Sequence, residues 1–397
     1  MVALTTYLRK TSSGLLKSCF DDLEISLPGE IDWSSPDPAL NKAVRAAVQK
    51  LDRNATATLV PTIDRLAAMS DEAGELALQG IVTDRVGLAA NIGPHDRALW
   101  TYLNYPEEFR RAEETRFTDE RRRTRTWEGF LTQKGLEVRL DAEAQEAFRT
   151  ALGAVFTEGV VLVDIFERVR PTFEGVDCKL IQITIYREGW PSSALEFVEG
   201  DLVRQPRRPV SEASMTYEPE TGVVEIVANN RDARDAIFSQ FAKNLLATEF
   251  LGGRLPRREF SLQVLKSPCK FQTDASDGIE SVNLRMLRLM PTDAQGERLV
   301  LETTGKGARS IWSMSGDRFG QNDPLRGGWI VTMAKLVVQF HPVGDARRGK
   351  SMPLTITMPH GCDLKDQTAR EQMIGAKYLR RWGLLVEDRD VDVIEHN

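Results

Sequence analysis

Histidine and cysteine are both scarce, with four of each in 397 residues. The cysteines, at 19, 178, 269 and 362, form no C-x-x-C pair. That scatter argues against a disulfide framework and a structural zinc site, so buried free thiols are expected. Long apolar runs are missing too. Segments such as GVVLVDIF at 159–166 fall far short of the ~20 residues a membrane helix needs. Arg9, Lys10 and Lys17 interrupt the first twenty residues, which fit neither a secretory apolar core nor a membrane span. The expected location is the cytoplasm, with no membrane partner. No P-loop, G-x-S-x-G, H-E-x-x-H, kinase or dinucleotide pattern is found, and TTGKGARS at 303–310 lacks the phosphate-loop spacing.

What remains is an ordinary globular composition, 41% hydrophobic and 28% charged, on a chain of net charge -6. The length exceeds the ~250–300 residues at which a single core stops growing, so two or three units are expected. From about residue 36 to 157 the period is helical. DPALNKAVRAAVQKL repeats Leu40, Val44, Val48 and Leu51 at helix spacing. Ser70-Asp71 reads as a cap, and further helices are expected after Pro106 and from Asp141 to about Phe156.

After Gly159 the period becomes two. CKLIQITIYREG alternates as a half-buried strand does, ALEFVEGDLVRQ behaves likewise, and Glu218 to Gly222 reads as a turn between two strands. RDARDAIFSQFAKNLLATEFL then supplies a helix to lie on that sheet. Beyond the linker-like GGRLPRREF, strand-like stretches include SVNLRMLRLMP, ARSIWSMSG, AKLVVQFHP and MPLTITMP, and a helix at QTAREQMIGAKYLRRWGLLVE closes the chain. The fold class is α+β: an N-terminal helical domain followed by mixed, mainly antiparallel sheet domains with packed helices. The expected boundaries are 1–158, 159–255 and 256–397.

One segment stands out by charge. Residues 107–125 hold seven arginines and six acids, the acids early and the arginines late. That order suits the helix dipole, and Glu107 with Arg111 and Asp119 with Arg123 stand at pairing distance along a helix. A solvated helix therefore accounts for much of the segment. Paired arginines recur in RQPRRP, RLPRRE, DARRGK and YLRRW, and guanidinium forks suit bidentate anion contacts. If Arg121, Arg122, Arg123, Arg125, Arg207, Arg208, Arg257 and Arg258 converged, they would form an anion-binding or nucleic-acid-binding stripe on an acidic protein.

The strongest catalytic alternative is a metal-dependent nuclease using Asp164, Asp177 and Lys179, with Glu158 as a helix-borne partner and Mg²⁺ as its cofactor. The pattern is weak, because D-x-K matches arise by chance. His360, Cys362 and Asp363 could suggest thiol or metal chemistry, but a turn explains them more simply. The same holds for His95 beside Asp96 at a helix start. The C-terminal helix lacks the preceding helix of a DNA-reading motif, so packing on its sheet is expected. The leading expectation is a non-catalytic binding or assembly protein, engaging nucleic acid or a protein partner through its arginines, in an oligomer or larger complex. It calls for no metal or cofactor.

Overall fold

The computed structural model describes residues 2–35, 37–122, 124–156, 159–171, 177–249, 252–255, 259–293, 296–305, 307, 309–342, 347–358 and 361–386. Among them the chain divides into two compact units, the first made of 1–171 with 177–255 and the second lying within 256–397.

The first unit opens with helices α1 (Val2–Lys10), α2 (Ser13–Asp22), α3 (Asp37–Val48), α4 (Arg53–Ala68), α5 (Glu72–Ile81), α6 (Arg85–Ala90), α7 (Pro94–Asn104) and α8 (Pro106–Arg121). Short polar residues start them. Asp52, Asp71 and Asp84 each accept a hydrogen bond from a first-turn backbone N–H of α4, α5 and α6, satisfying donors that a helix leaves open. Pro94 and Pro106 occupy the first position of α7 and α8, where a missing N–H costs nothing. Tyr7, Leu16, Val44, Ile63, Leu78, Leu99 and Phe109 meet in one core.

The remainder of this unit is a five-stranded antiparallel sheet in the order β1-β7-β6-β3-β2. It consists of β1 (Trp127–Leu131), helix α9 (Ala142–Val155), β2 (Val161–Pro171), β3 (Asp177–Glu188), a separate hairpin β4 (Ser192–Val198) and β5 (Asp201–Arg207), then β6 (Val210–Glu218), β7 (Val223–Val227) and helix α10 (Arg231–Asn244). One sheet face is apolar. Ile183, Ile185, Met215, Tyr217, Val224 and Ile226 pack there with Phe148 and Leu152 of α9 and Ile237, Phe238 and Phe241 of α10. Each such side chain contributes ~1.5–3 kcal/mol by leaving water.

Two expectations need correction here. Residues 127–131 lie in a stretch that reads as helical, yet they form the edge strand β1, pairing Trp127 with Val227 and Leu131 with Val223. The division expected at 158/159 also moves. The helix α9 belongs to the core of the sheet, and helices and sheet make one unit ending at residue 255.

The second unit carries the antiparallel sheet β10-β9-β11-β12-β13, from β9 (Ile279–Pro291), β10 (Leu299–Glu302), β11 (Trp329–Phe340), β12 (Ser351–Thr357) and β13 (Gly361–Cys362). A small pair joins β8 (Glu259–Phe260) to β14 (Leu385–Val386). The segment ARSIWSMSG, strand-like in sequence, contains a helix instead, α11 (Ile311–Phe319). Ser310 caps it through the Ser313 N–H, and Ile311 and Ser315 are buried one turn apart. The helix α12 (Ala369–Arg381) starts on a reciprocal Thr368–Glu371 cap and buries Ile374, Tyr378 and Leu379 in the core of the sheet. This is the packing expected of it.

Candidate protein-interaction site

The other face of the first sheet is polar, and α8 lies over it. Period-two alternation puts Asp164, Arg168 and Arg170 of β2, Gln182, Thr184 and Tyr186 of β3, Ser214 and Thr216 of β6 and Glu225 of β7 on that face. Helix α8 sends Phe109 and Ala112 into the helical core, while Glu114, Thr115 and Thr118 are also buried. Thr118 accepts a hydrogen bond from Gln182 (3.1 Å), and Tyr186 donates to Glu114.

Guanidinium and carboxylate groups close this seam. Arg111 makes a bidentate pair with Asp164 at 3.1 Å on both arms, and Arg110 reaches Asp164 (2.8 Å), Glu107 (3.0 Å) and Glu114. Arg168 forks onto Asp119 (2.7 and 3.0 Å). Arg170 joins Glu225 (2.9 Å) to Asp119 (3.2 Å), and Arg122 places its Nε 2.7 Å from both Glu225 oxygens. Burial works to raise the Glu225 carboxyl, but Arg122 and Arg170 outweigh it and hold the group at about 2. Asp164 is likewise held below the ordinary carboxylate range, burial being overcome by Arg111 and Arg110. Glu114 moves the other way. Its burial outweighs the hydrogen bond from Tyr186 and the charge of Arg110, and its pKa rises.

The arginines singled out in the sequence therefore meet different fates. Arg122 is committed to Glu225. Arg121 is exposed, with its guanidinium 3.7 Å from the centroid of the Phe117 ring, and exposed Arg125 makes no ion pair among the described residues. Arg207 is exposed at the end of β5, and Arg208 approaches Glu188 at 3.5 Å. Arg123, Arg257 and Arg258 lie outside the described residues. Glu225 and Glu188 sit on ladder rows six positions apart along β6, which is ~20 Å of strand. The described arginines do not form one stripe. Along α8, Glu107 holds Arg110 rather than the expected Arg111, and Asp119 is engaged by Arg168 and Arg170 on the sheet, while its expected partner Arg123 lies outside the described residues.

Nor does the structure bring the nuclease residues together. Asp164 is opposite Thr184, whereas Asp177 is opposite Pro171, seven ladder positions away, or ~23 Å. Odd spacing from Thr184 also sends Asp177 and Lys179 to the other face of β3. Glu158 and His360 lie outside the described residues. Asp363 accepts the Thr355 N–H (2.6 Å) within its own turn, and Asp96 accepts the Ser12 N–H (2.7 Å), tying the start of α7 to that of α2, so both carboxylates hold backbone in place. Among the described residues no group of three or more His, Cys, Asp or Glu is placed to hold a metal ion, and no helix is long and apolar enough to cross a membrane.

What the molecule does present is the β4–β5 ribbon. It extends the β3–β6 hairpin past an interruption at Gly189-Trp190-Pro191 and Arg208-Pro209, where Gly189 donates to the Pro209 carbonyl (2.7 Å). A Cβ on Gly189 would sit 2.3 Å from that oxygen, so the close crossing requires glycine. At the far end Glu199 and Gly200 both have positive φ, 53° and 97°, as a two-residue turn matching the strand twist demands.

No family model and no curated protein matches the chain. The case for a site therefore rests on the ribbon's own chemistry. Register places Leu195 beside Arg204, Phe197 beside Leu202 and Ser193 beside Pro206 on one face. Leu195, Phe197 and Leu202 are 54%, 65% and 61% exposed, and Trp190 at the base is 77% exposed. The strands pair only with each other among the described residues. Sequence reading found the strand character of ALEFVEGDLVRQ but not this hairpin, because Glu-Gly is a weaker turn signal than Asn-Gly or Asp-Gly.

Proposed function

We propose that this chain is a non-catalytic binding or assembly protein of the cytoplasm whose recognition element is the β4–β5 ribbon, and whose partner is a protein. The observation that carries the reading is the apolar face of Leu195, Phe197 and Leu202, left in water on a ribbon with no third strand among the described residues. Isolated two-stranded hairpins are at best marginally stable, and contiguous exposed apolar residues mark contact surfaces. A protein suits this face better than a nucleic acid. The ribbon tip carries Glu196, Glu199 and Asp201, which repel phosphate, and the arginines under α8 are already paired with carboxylates.

The test is a photo-crosslinking amino acid at position 197, in the cells that make the protein, with exposed Val86 as the control position. A discrete adduct heavier than the chain is expected from 197 and not from 86. No adduct from 197 would overturn the reading. In parallel, the purified chain is expected to show no salt-sensitive retention on heparin, whereas retention that Arg121→Glu and Arg125→Glu abolish would move the reading back to nucleic acid.

A further inference from the structure

We infer that the seam between α8 and the sheet is an internal water site, with at least one water molecule held jointly by Glu114, Gln182, Thr184 and Ser214. The inference concerns this buried face alone and stands apart from the ribbon.

Four side-chain oxygens carry it. Glu114 Oε2, Gln182 Oε1, Thr184 Oγ1 and Ser214 Oγ reach no hydrogen-bond partner among the described residues, and the four residues are only 3%, 0%, 0% and 1% exposed. Strand register brings them together. Thr184 stands directly across from Ser214, with Gln182 two positions along β3 on the same face and Tyr186 two positions the other way. Helix α8 meets that face on both sides of Thr184, where Tyr186 bonds Glu114 and Gln182 bonds Thr118. The turn of α8 from Glu114 to Thr118 therefore roofs Thr184. The Thr184 hydroxyl lies near enough to Glu114 to favour its charged carboxyl, yet short of bonding contact.

Bonds already made fix what each group still needs. Thr118 donates its only hydroxyl proton to the Glu114 carbonyl (2.8 Å), so it can only accept from Gln182. That sets the amide nitrogen of Gln182 toward α8 and leaves its Oε1 an acceptor without a donor. Glu114 Oε1 already accepts from Arg110 and Tyr186, which leaves Oε2 in the same condition. Two acceptors thus share the space with two hydroxyls that can serve either role. Buried polar groups are almost always bonded. A water molecule donates twice and accepts twice, and internal waters make about three bonds to groups of this kind. A metal cation would suit the two acceptors, but it would lie close to the Arg110 guanidinium that already holds the Glu114 carboxylate.

A crystal structure of the full chain, at a resolution that shows surface waters, tests this directly. A density peak is expected within hydrogen-bond reach of at least two of the four oxygens, and soaking in rubidium chloride should leave it without anomalous signal. A peak that gains such a signal is a monovalent cation and overturns the inference. So does density with no peak, in which Thr184 turns directly onto Glu114 or Ser214.

Urea unfolding tests the same point in solution. Thr184→Val keeps the branched shape of the side chain and removes its hydroxyl. Where water is bound, the change strips a partner from it, and the midpoint should fall. In a dry seam the same change deletes an unmet buried hydroxyl, so a midpoint that rises or stays counts against the inference. Ser214→Ala should lower the midpoint as well, and in crystals of either variant the peak should weaken or vanish. A peak of unchanged strength in both would mean that these hydroxyls do not hold it.

Discussion

The seam under α8 and the β4–β5 ribbon use the same residue types to opposite ends. Both are rich in arginine and carboxylate. In the seam each guanidinium meets a carboxylate across the fold, and Glu225, Arg168 and Arg170 are withdrawn from water. On the ribbon, charges and apolar residues alike face solvent, and Arg208–Glu188 at 3.5 Å is a loose exposed contact. The lesson is that arginine clustering along a chain says little about function until partners far away in sequence are known. A paired, buried arginine is part of the architecture, while an unpaired exposed one beside apolar surface is available to bind.

The comparison can be broken most directly at Glu225. Glu225→Ala strands Arg122 and Arg170 without their shared carboxylate. Urea unfolding should show a loss of ~3 kcal/mol, the lower end of the range for opening a buried pair because Arg122 is partly exposed. A loss below ~1 kcal/mol would mean that the seam is not what holds helix to sheet. Arg122→Ala leaves Arg170 in place and should cost less, ~1–2 kcal/mol by the same measurement.

Acid titration sharpens the contrast. The Glu225 carboxyl is held at about 2 against an ordinary 4.5, so its stabilisation is complete above 4.5 and is lost as pH falls from there toward 2. Asp119 and Asp164 act in the same sense, whereas Glu114, its pKa raised, opposes them. Glu225→Gln should start less stable and show a shallower decline over that window. An unchanged slope would remove Glu225 as its source. The smallest effects belong to the exposed sites. Arg121→Glu, Arg125→Glu and Phe197→Ser should each change monomer stability by no more than ~0.5 kcal/mol, as read from thermal unfolding at low protein concentration.

Local signals in the sequence were informative where local forces decide. The Asp141 cap of α9, the start of α8 at Pro106 and the alternation of β3 all depend on residues a few positions apart, and the structure has each of them. The failures share a cause. Arg122 and Glu225 are 103 residues apart, and Arg168 and Asp119 are 49 apart, distances over which no periodicity reports. The sequence could show that Glu107 and Arg111 were spaced for a helical pair, but not that the sheet would offer Arg111 a bidentate carboxylate in Asp164. Residues 127–131 form a strand because β7 supplies a ladder, a tertiary effect that overrides the surrounding helical pattern. The ribbon was half legible: its strands could be read, its isolation could not, since exposure depends on everything that fails to cover it.

The polar face beneath α8 also governs how this part of the molecule comes apart. An oily contact tolerates small slips, but guanidinium forks do not. Sliding the helix by one turn, ~5.4 Å, would lift Arg111 from Asp164, Asp119 from Arg168 and Arg122 from Glu225 together, since all three contacts run from α8 and its C-terminal end to the sheet. Because Phe109 and Ala112 of the same helix anchor the neighbouring bundle, melting of the bundle and release of the sheet should coincide. The described residues of the first unit then behave as a single latch that is either shut or fully open.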